Sequence, residues 1–143
     1  MSHYRANLKD IEFCLFDLLG RDSILGKSIY ADLDRETAMG MLEEMKRLTE
    51  NDLAASFVEG DRVGAILDKA TGDVTLPESF KKSYKAYIDG DWGKIDVPVE
   101  LGGTLIPPSV RWAIAEMVLG SNPGVHLYSS GFCFLTCRLH ARD

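Results

Sequence analysis

Residues 108–131 read PSVRWAIAEMVLGSNPGVHLYSSG, two helix-length apolar runs separated by Ser121-Asn122-Pro123. In the first run, Val110, Ala113, Ile114, Ala115, Met117, Val118 and Leu119 leave little polar face. A helix that is apolar nearly all round belongs inside a structure. Pro107-Pro108 suits its start, because the N–H that proline lacks has no helical partner there. The second run, 125–135, is also mostly apolar and carries Gly131 in its middle. Glycine inside a helix costs about 1 kcal/mol against alanine, so it marks close packing or a ligand. A buried helix needs other elements around it, and the rest of the chain supplies them.

Leu8–Leu19, LKDIEFCLFDLL, reads as a helix with Leu8, Ile11, Leu15, Leu18 and Leu19 on one face and Gly20 as its stop. After a loop with Gly26, Asp34 is a good N-cap and Glu36 puts negative charge in the first turn. Ala38, Met41, Leu42, Met45 and Leu48 recur at helical spacing, and the pattern carries the helix into the low fifties, with a bent continuation toward Phe57. Glu59–Leu76 differs in kind. Ala65–Leu67 and Val74–Leu76 are short β-capable pieces around a Thr71-Gly72-Asp73 turn. Pro77 suits the first position of a further helix, whose face is Phe80, Tyr84, Tyr87 and Ile88 and whose end is Gly90. The expected architecture is all-α, a helical array of about five helices with one short hairpin or loop excursion.

At 143 residues the chain is one domain by length and long enough to bury roughly two thirds of its unfolded surface. Hydrophobic residues make up 45% and charged residues 27%, which is ordinary for a globular chain. The net charge of −6 argues against a nucleic-acid or anionic-membrane surface, since both need clustered Lys and Arg. No apolar run reaches the ~18 residues of a spanning helix, and the N-terminus has no signal-peptide core. A cytoplasmic location is the default expectation. Cys14, Cys133 and Cys137 do not make a disulfide framework.

Few residues form a chemical constellation. Cys133, Cys137 and His140 have the spacing C-x3-C-x2-H, one ligand short of a structural zinc site, so no metal is expected. His126 and His3 have no Ser or Asp arrangement that reads as a triad. Glu43-Glu44 and Asp10 with Glu12 read as solvated helix faces. Leu101-Gly102-Gly103 lacks the surroundings of a phosphate loop and reads as a tight turn. Tyr128-Ser129-Ser130-Gly131 is the best candidate site, because small polar residues inside an apolar helix pack closely or face a cavity. Close helix packing and ligand contact both remain open there.

Taken together, several segments resemble the N-terminal α-helical domain of the acyl-CoA dehydrogenase family. They are Asp91-Trp92-Gly93, the loop Pro98-Val99-Glu100-Leu101-Gly102-Gly103, the apolar helix Ile114-Ala115-Glu116-Met117-Val118-Leu119-Gly120, and Asn122-Pro123-Gly124-Val125. The opening, residues 1–20, and Val74–Tyr84 resemble a bacterial subgroup with an N-terminal extension. The likeness covers residues 1–131. It divides the single domain into an extension (1–33), a helical core (34–131) and an atypical end (132–143). The family's G-T-x-E-Q continuation after the second helix is replaced here by FCFLTCRLHARD.

The resemblance implies an enzyme that oxidises the α,β bond of acyl-CoA thioesters with FAD in fatty-acid oxidation and hands electrons to an acceptor such as electron-transfer flavoprotein. In such enzymes the catalytic glutamate and the main FAD contacts lie in a middle β domain and a C-terminal bundle. No catalytic or cofactor-binding residue is therefore expected in this chain, which reads as cut before the middle domain and inactive alone. What carries over is the wall of the acyl pocket, at Leu101, Gly102, Gly103, Tyr128, Ser129, Ser130 and Gly131. The rival expectation is a non-catalytic helical interaction module derived from that domain. Self-association through the final helices is expected as well, with Ile114, Val118, Leu127, Phe132, Phe134 and Leu135 left short of partners.

Overall fold

The computed structural model describes residues 2–95 and 97–129. Among them the fold is an all-α array with one two-stranded hairpin, as the periodicities predict.

Helix α1, Leu8–Glu12, begins at Asn7, whose side chain accepts from the Asp10 N–H. It runs directly into a π-helical stretch, Phe13–Leu18, and Gly20 stops it at φ +57°. The wide turn changes which residues face inward. Ile11 and Leu15 are buried as expected, but Phe16 joins them while Leu18 and Leu19 turn out to solvent. A π turn holds more residues than the 3.6 of an α turn, so a stripe counted at α spacing drifts off the core face. Leu25 and Leu33 then bring the following loop into the core.

Helix α2, Arg35–Leu48, starts as expected, with the Asp34 carboxylate accepting from the Thr37 N–H at 2.8 Å. It buries Ala38, Leu42, Met45 and Leu48. Arg35 ties the N-terminal segment to it by ion pairs to Glu12 and Asp22, and its guanidinium lies 4.2 Å from the Phe16 ring centroid. A second π segment, Thr49–Leu53, continues the rod, with the buried Thr49 hydroxyl donating back to the Met45 carbonyl at 2.8 Å. Glu50 leaves this segment to hold the N-terminal arm, accepting from the Ala6 N–H at 3.0 Å and from Arg5 at 3.1 Å.

Helix α3, Phe57–Val63, extends beyond the expected break near Phe57, so Glu59–Val63 is helix rather than loop. Glu59 in its first turn and Arg62 in its last complement the helix dipole, and Gly64 ends it at φ +64°. The hairpin is β1, Ile66–Leu67, paired antiparallel with β2, Val74–Thr75, around Gly72 at φ +79°. Ala65 and Leu76 fall outside the ladder, and all four paired residues are exposed.

Helix α4, Glu78–Asp89, takes Pro77 as its N-cap rather than its first helical residue. Phe80, Ser83 and Tyr87 are buried, and Tyr84 is half-buried. Ile88 faces solvent, because the 80-83/84-87 spacing places it around the corner from the core face. The Ser83 hydroxyl donates to the Asp52 carbonyl at 2.6 Å, clamping α4 to the π segment. The Trp92 indole covers Gly90, where a Cβ would lie 2.7 Å from the ring.

Helix α5, Pro108–Ser121, lies at the centre, with Pro107 as cap and Pro108 in the first position as expected. Val110, Ala113, Ile114, Ala115, Met117 and Val118 are buried, and α5 packs on α2. Leu119 and Trp112 form its outer side. Tyr4 crosses α5 at Gly120, where a Cβ would meet the ring at 2.5 Å. After Asn122, residues 123–129 are helical. Of the residues expected to lack core partners, Ile114 and Val118 are buried and Leu127 is exposed; Phe132, Phe134 and Leu135 lie outside the described residues.

Candidate functional site

Asn122 builds the junction on which the candidate site rests. Its backbone carbonyl accepts from Val125 and His126, its side-chain oxygen accepts from the Val125 N–H at 3.4 Å, and Pro123 follows in the first helical position. That is an N-cap followed by proline, a strong local start signal. Its amide nitrogen reaches back to the Leu53 carbonyl and the Ser56 hydroxyl. Gly124 lets the new helix approach α4, since a Cβ there would lie 3.0 Å from the Phe80 ring.

This approach leaves a cleft of about 240 Å3 between α3, the hairpin's return to α4, and residues 122–128. Phe57, Phe80 and Tyr128 give it aromatic walls, Gly60, Gly64 and Gly124 leave its surface without side chains, and Asp61 is its one acidic residue. Phe80 and Tyr128 meet edge to face, with ring centroids 5.7 Å apart at 66°. A smaller recess of about 50 Å3 lies on the other side, among Tyr87, Trp92, Arg111, His126 and Ser129. Burial, and then the nearby positive charge of Arg111, hold the His126 imidazole below its usual pKa.

The residues expected to wall a pocket are thus divided. Tyr128 lines the larger cleft, while Ser129 lines the recess and donates to the His126 carbonyl at 3.2 Å. Leu101, Gly102 and Gly103 line neither. Gly102 takes φ +77°, as a tight turn requires, and a Cβ on Gly103 would sit 2.1 Å from the Val97 carbonyl oxygen. This glycine pair therefore lets the loop fold against itself, next to the Ile95–Thr104 bridge that leads into α5. Ser130 and Gly131 lie outside the described residues, as do Cys133, Cys137 and His140. Among the described residues no group of three or more His, Cys, Asp or Glu is placed to hold a metal ion. No helix among them is long and apolar enough to cross a membrane.

Sequence reasoning did not single out Phe57, Gly60, Asp61 or Gly64 for this site. The available signal was Gly60 and Gly64, two positions without side chains four residues apart.

Known proteins bear directly on the family that the sequence resembles. A broad-specificity linear acyl-CoA dehydrogenase of Mycobacterium tuberculosis, FadE5, is 46% identical over 140 residues, which is 98% of this chain and 23% of that protein. A 3-methylmercaptopropionyl-CoA dehydrogenase of Ruegeria pomeroyi is 31% identical over 115 residues, 80% of this chain and 19% of its own length. This chain is homologous to acyl-CoA dehydrogenases. No family model matches it. The chain spans less than a quarter of the length of these acyl-CoA dehydrogenase relatives.

Acyl-CoA dehydrogenases as a family imply FAD.

Proposed function

We propose that this chain is the N-terminal helical domain of an acyl-CoA dehydrogenase and contributes part of the wall of its acyl pocket. The carrying observation is 46% identity across nearly the whole chain to less than a quarter of such an enzyme. In this reading, α5 is the buried support, and Leu101, Gly102, Gly103, Tyr128, Ser129, Ser130 and Gly131 contribute to the wall of the acyl pocket. FAD, the catalytic base and the electron acceptor, an electron-transfer flavoprotein, belong to the whole enzyme, and the 143-residue chain alone is colourless and inactive. A cytoplasmic location fits this role. The test is acyl-CoA-dependent reduction of an artificial electron acceptor with FAD added. It is run on the chain alone and then with the remaining length of a homologous enzyme supplied as a second polypeptide. Turnover only in the combined sample supports the reading. Turnover by the chain alone, or flavin copurifying with it in stoichiometric amount, overturns it.

A second reading, a non-catalytic helical interaction module, is favoured by the exposure of Trp112 at 58% and Leu127 at 71%. Large apolar side chains left in solvent on central helices suit a surface that associates with itself or with another protein. Failure of the combined sample to turn over, together with stable association, selects this reading.

A further inference from the structure

The aromatic cleft has a chemistry of its own. Phe80 and Tyr128 meet at 66°, so their rings form a corner rather than a flat wall, and Phe57 stands on the α3 side of the same cleft. His3 stacks on Phe57 at 4.5 Å between centroids and steadies that ring. Three glycines line the space, so no side chain of Gly60, Gly64 or Gly124 fills it. Asp61 stands exposed at the rim, and its carboxylate has no ion-pair partner among the described residues.

Size and charge narrow the occupant. About 240 Å3 exceeds the ~150 Å3 of an apolar cavity that takes benzene and falls short of a drug-sized site, so one ring or one compact branched head fits. A cation over aromatic faces is attracted by their quadrupoles, and a carboxylate at the opening adds to that attraction. The same carboxylate, on a chain of net charge −6, repels an anionic group. An uncharged acyl tail gains nothing from Asp61.

We propose that this cleft binds a small apolar ammonium ion, a quaternary or arylalkyl ammonium group, with Phe57, Phe80 and Tyr128 around the cation and Asp61 as its counter-charge. The site shares Tyr128 with the acyl-pocket reading, but its test reads binding of a cation to the chain rather than turnover, so the two can fail independently.

The probes are choline and its uncharged isostere 3,3-dimethyl-1-butanol, titrated into the 143-residue chain and followed by amide NMR signals of Gly60, Gly64 and Gly124. Choline is expected to move these signals saturably and to bind at least about fivefold more tightly than the isostere. Asp61→Asn changes a surface side chain and is expected to weaken choline roughly three- to fivefold, with the isostere unaffected. Tyr128→Leu keeps an apolar wall but removes the π face, and is expected to cost up to about tenfold for choline alone. The NMR spectrum of each variant reports its fold directly. Equal affinity for the two probes, an unchanged choline affinity in Asp61→Asn, shifts mapping elsewhere, or no saturable shift at millimolar choline overturns the proposal.

Discussion

The side-chain amide of Asn122 donates to the Leu53 carbonyl at 3.1 Å, joining two positions 69 residues apart. Leu53 is the last residue of a π turn, where the change of helical pitch interrupts the regular carbonyl pairing, and Asn122 supplies a donor there. The same residue also holds the Ser56 hydroxyl and starts the helix through 129.

Replacing Asn122 therefore has two costs. Asn122→Ala is expected to lower unfolding free energy by about 2–4 kcal/mol, from the buried groups left unpaired and from the lost cap. Asn122→Asp keeps the cap acceptor but puts an acceptor against the Leu53 carbonyl, so it is expected to destabilise at pH 7 as well. Urea unfolding of the three proteins checks both. An alanine variant within about 0.5 kcal/mol of the parent contradicts the argument.

The two glycines before α5 differ in what they forbid. Gly103→Ala places a methyl 2.1 Å from the Val97 carbonyl oxygen, which only a backbone shift relieves. Gly102→Ala meets no atom within 4 Å and suffers only its positive φ. The expected losses are about 2–4 kcal/mol at Gly103 and about 1–2 kcal/mol at Gly102. Thermal unfolding ranks them, and the reverse order refutes the packing account.

His126 gives the fold a pH dependence with a definite sign. Burial first and Arg111 second lower its folded pKa below the ordinary 6.5, so the unfolded chain takes up the proton more readily. Its contribution to stability is full above about pH 6.5 and is lost as pH falls through the lower folded value. His126→Gln is expected to flatten the slope of unfolding free energy against pH between about pH 7 and pH 5. An unchanged slope in denaturant titrations across that range rejects it.

The 143-residue chain is expected to self-associate through exposed apolar side chains that include Trp112 and Leu127. Burying ~600 Å2 of such surface contributes on the order of 15 kcal/mol against association costs of ~4–15 kcal/mol. Light scattering over micromolar concentrations measures the mass, repeated with Trp112→Ser and Leu127→Ser. Both positions are exposed, so the changes leave the core intact. A monomer throughout, or an oligomer indifferent to both, rules out this surface.

The helices around α5 were legible because their signals are local and strong: Asp34 before an apolar stripe, Pro107-Pro108, and a run with almost no polar face. The inward faces near the π turns were not. Phe16 replaces Leu18 in the core because the turn widens between them, and no residue type in Phe13–Leu18 announces that widening. The site was legible only at Tyr128. Its companions Phe57, Asp61 and Phe80 come from α3 and α4, and contacts across some 50 to 70 positions leave no trace in local periodicity. Asn122 was visible as a break between helices, but its hold on Leu53 depends on where the π turn ends.

The Tyr4 ring against Gly120 has a consequence for the order in which the molecule is made. The partners are 116 positions apart, and the neighbouring Ala6 and Arg5 wait for Glu50. The arm that carries Tyr4 thus finds its final place only after α5 has followed it. Contacts so distant in sequence close slowly. During synthesis the arm and the apolar faces of α1 and α2 stay open for the time that translation of some seventy further residues takes, several seconds at ~5–20 residues per second.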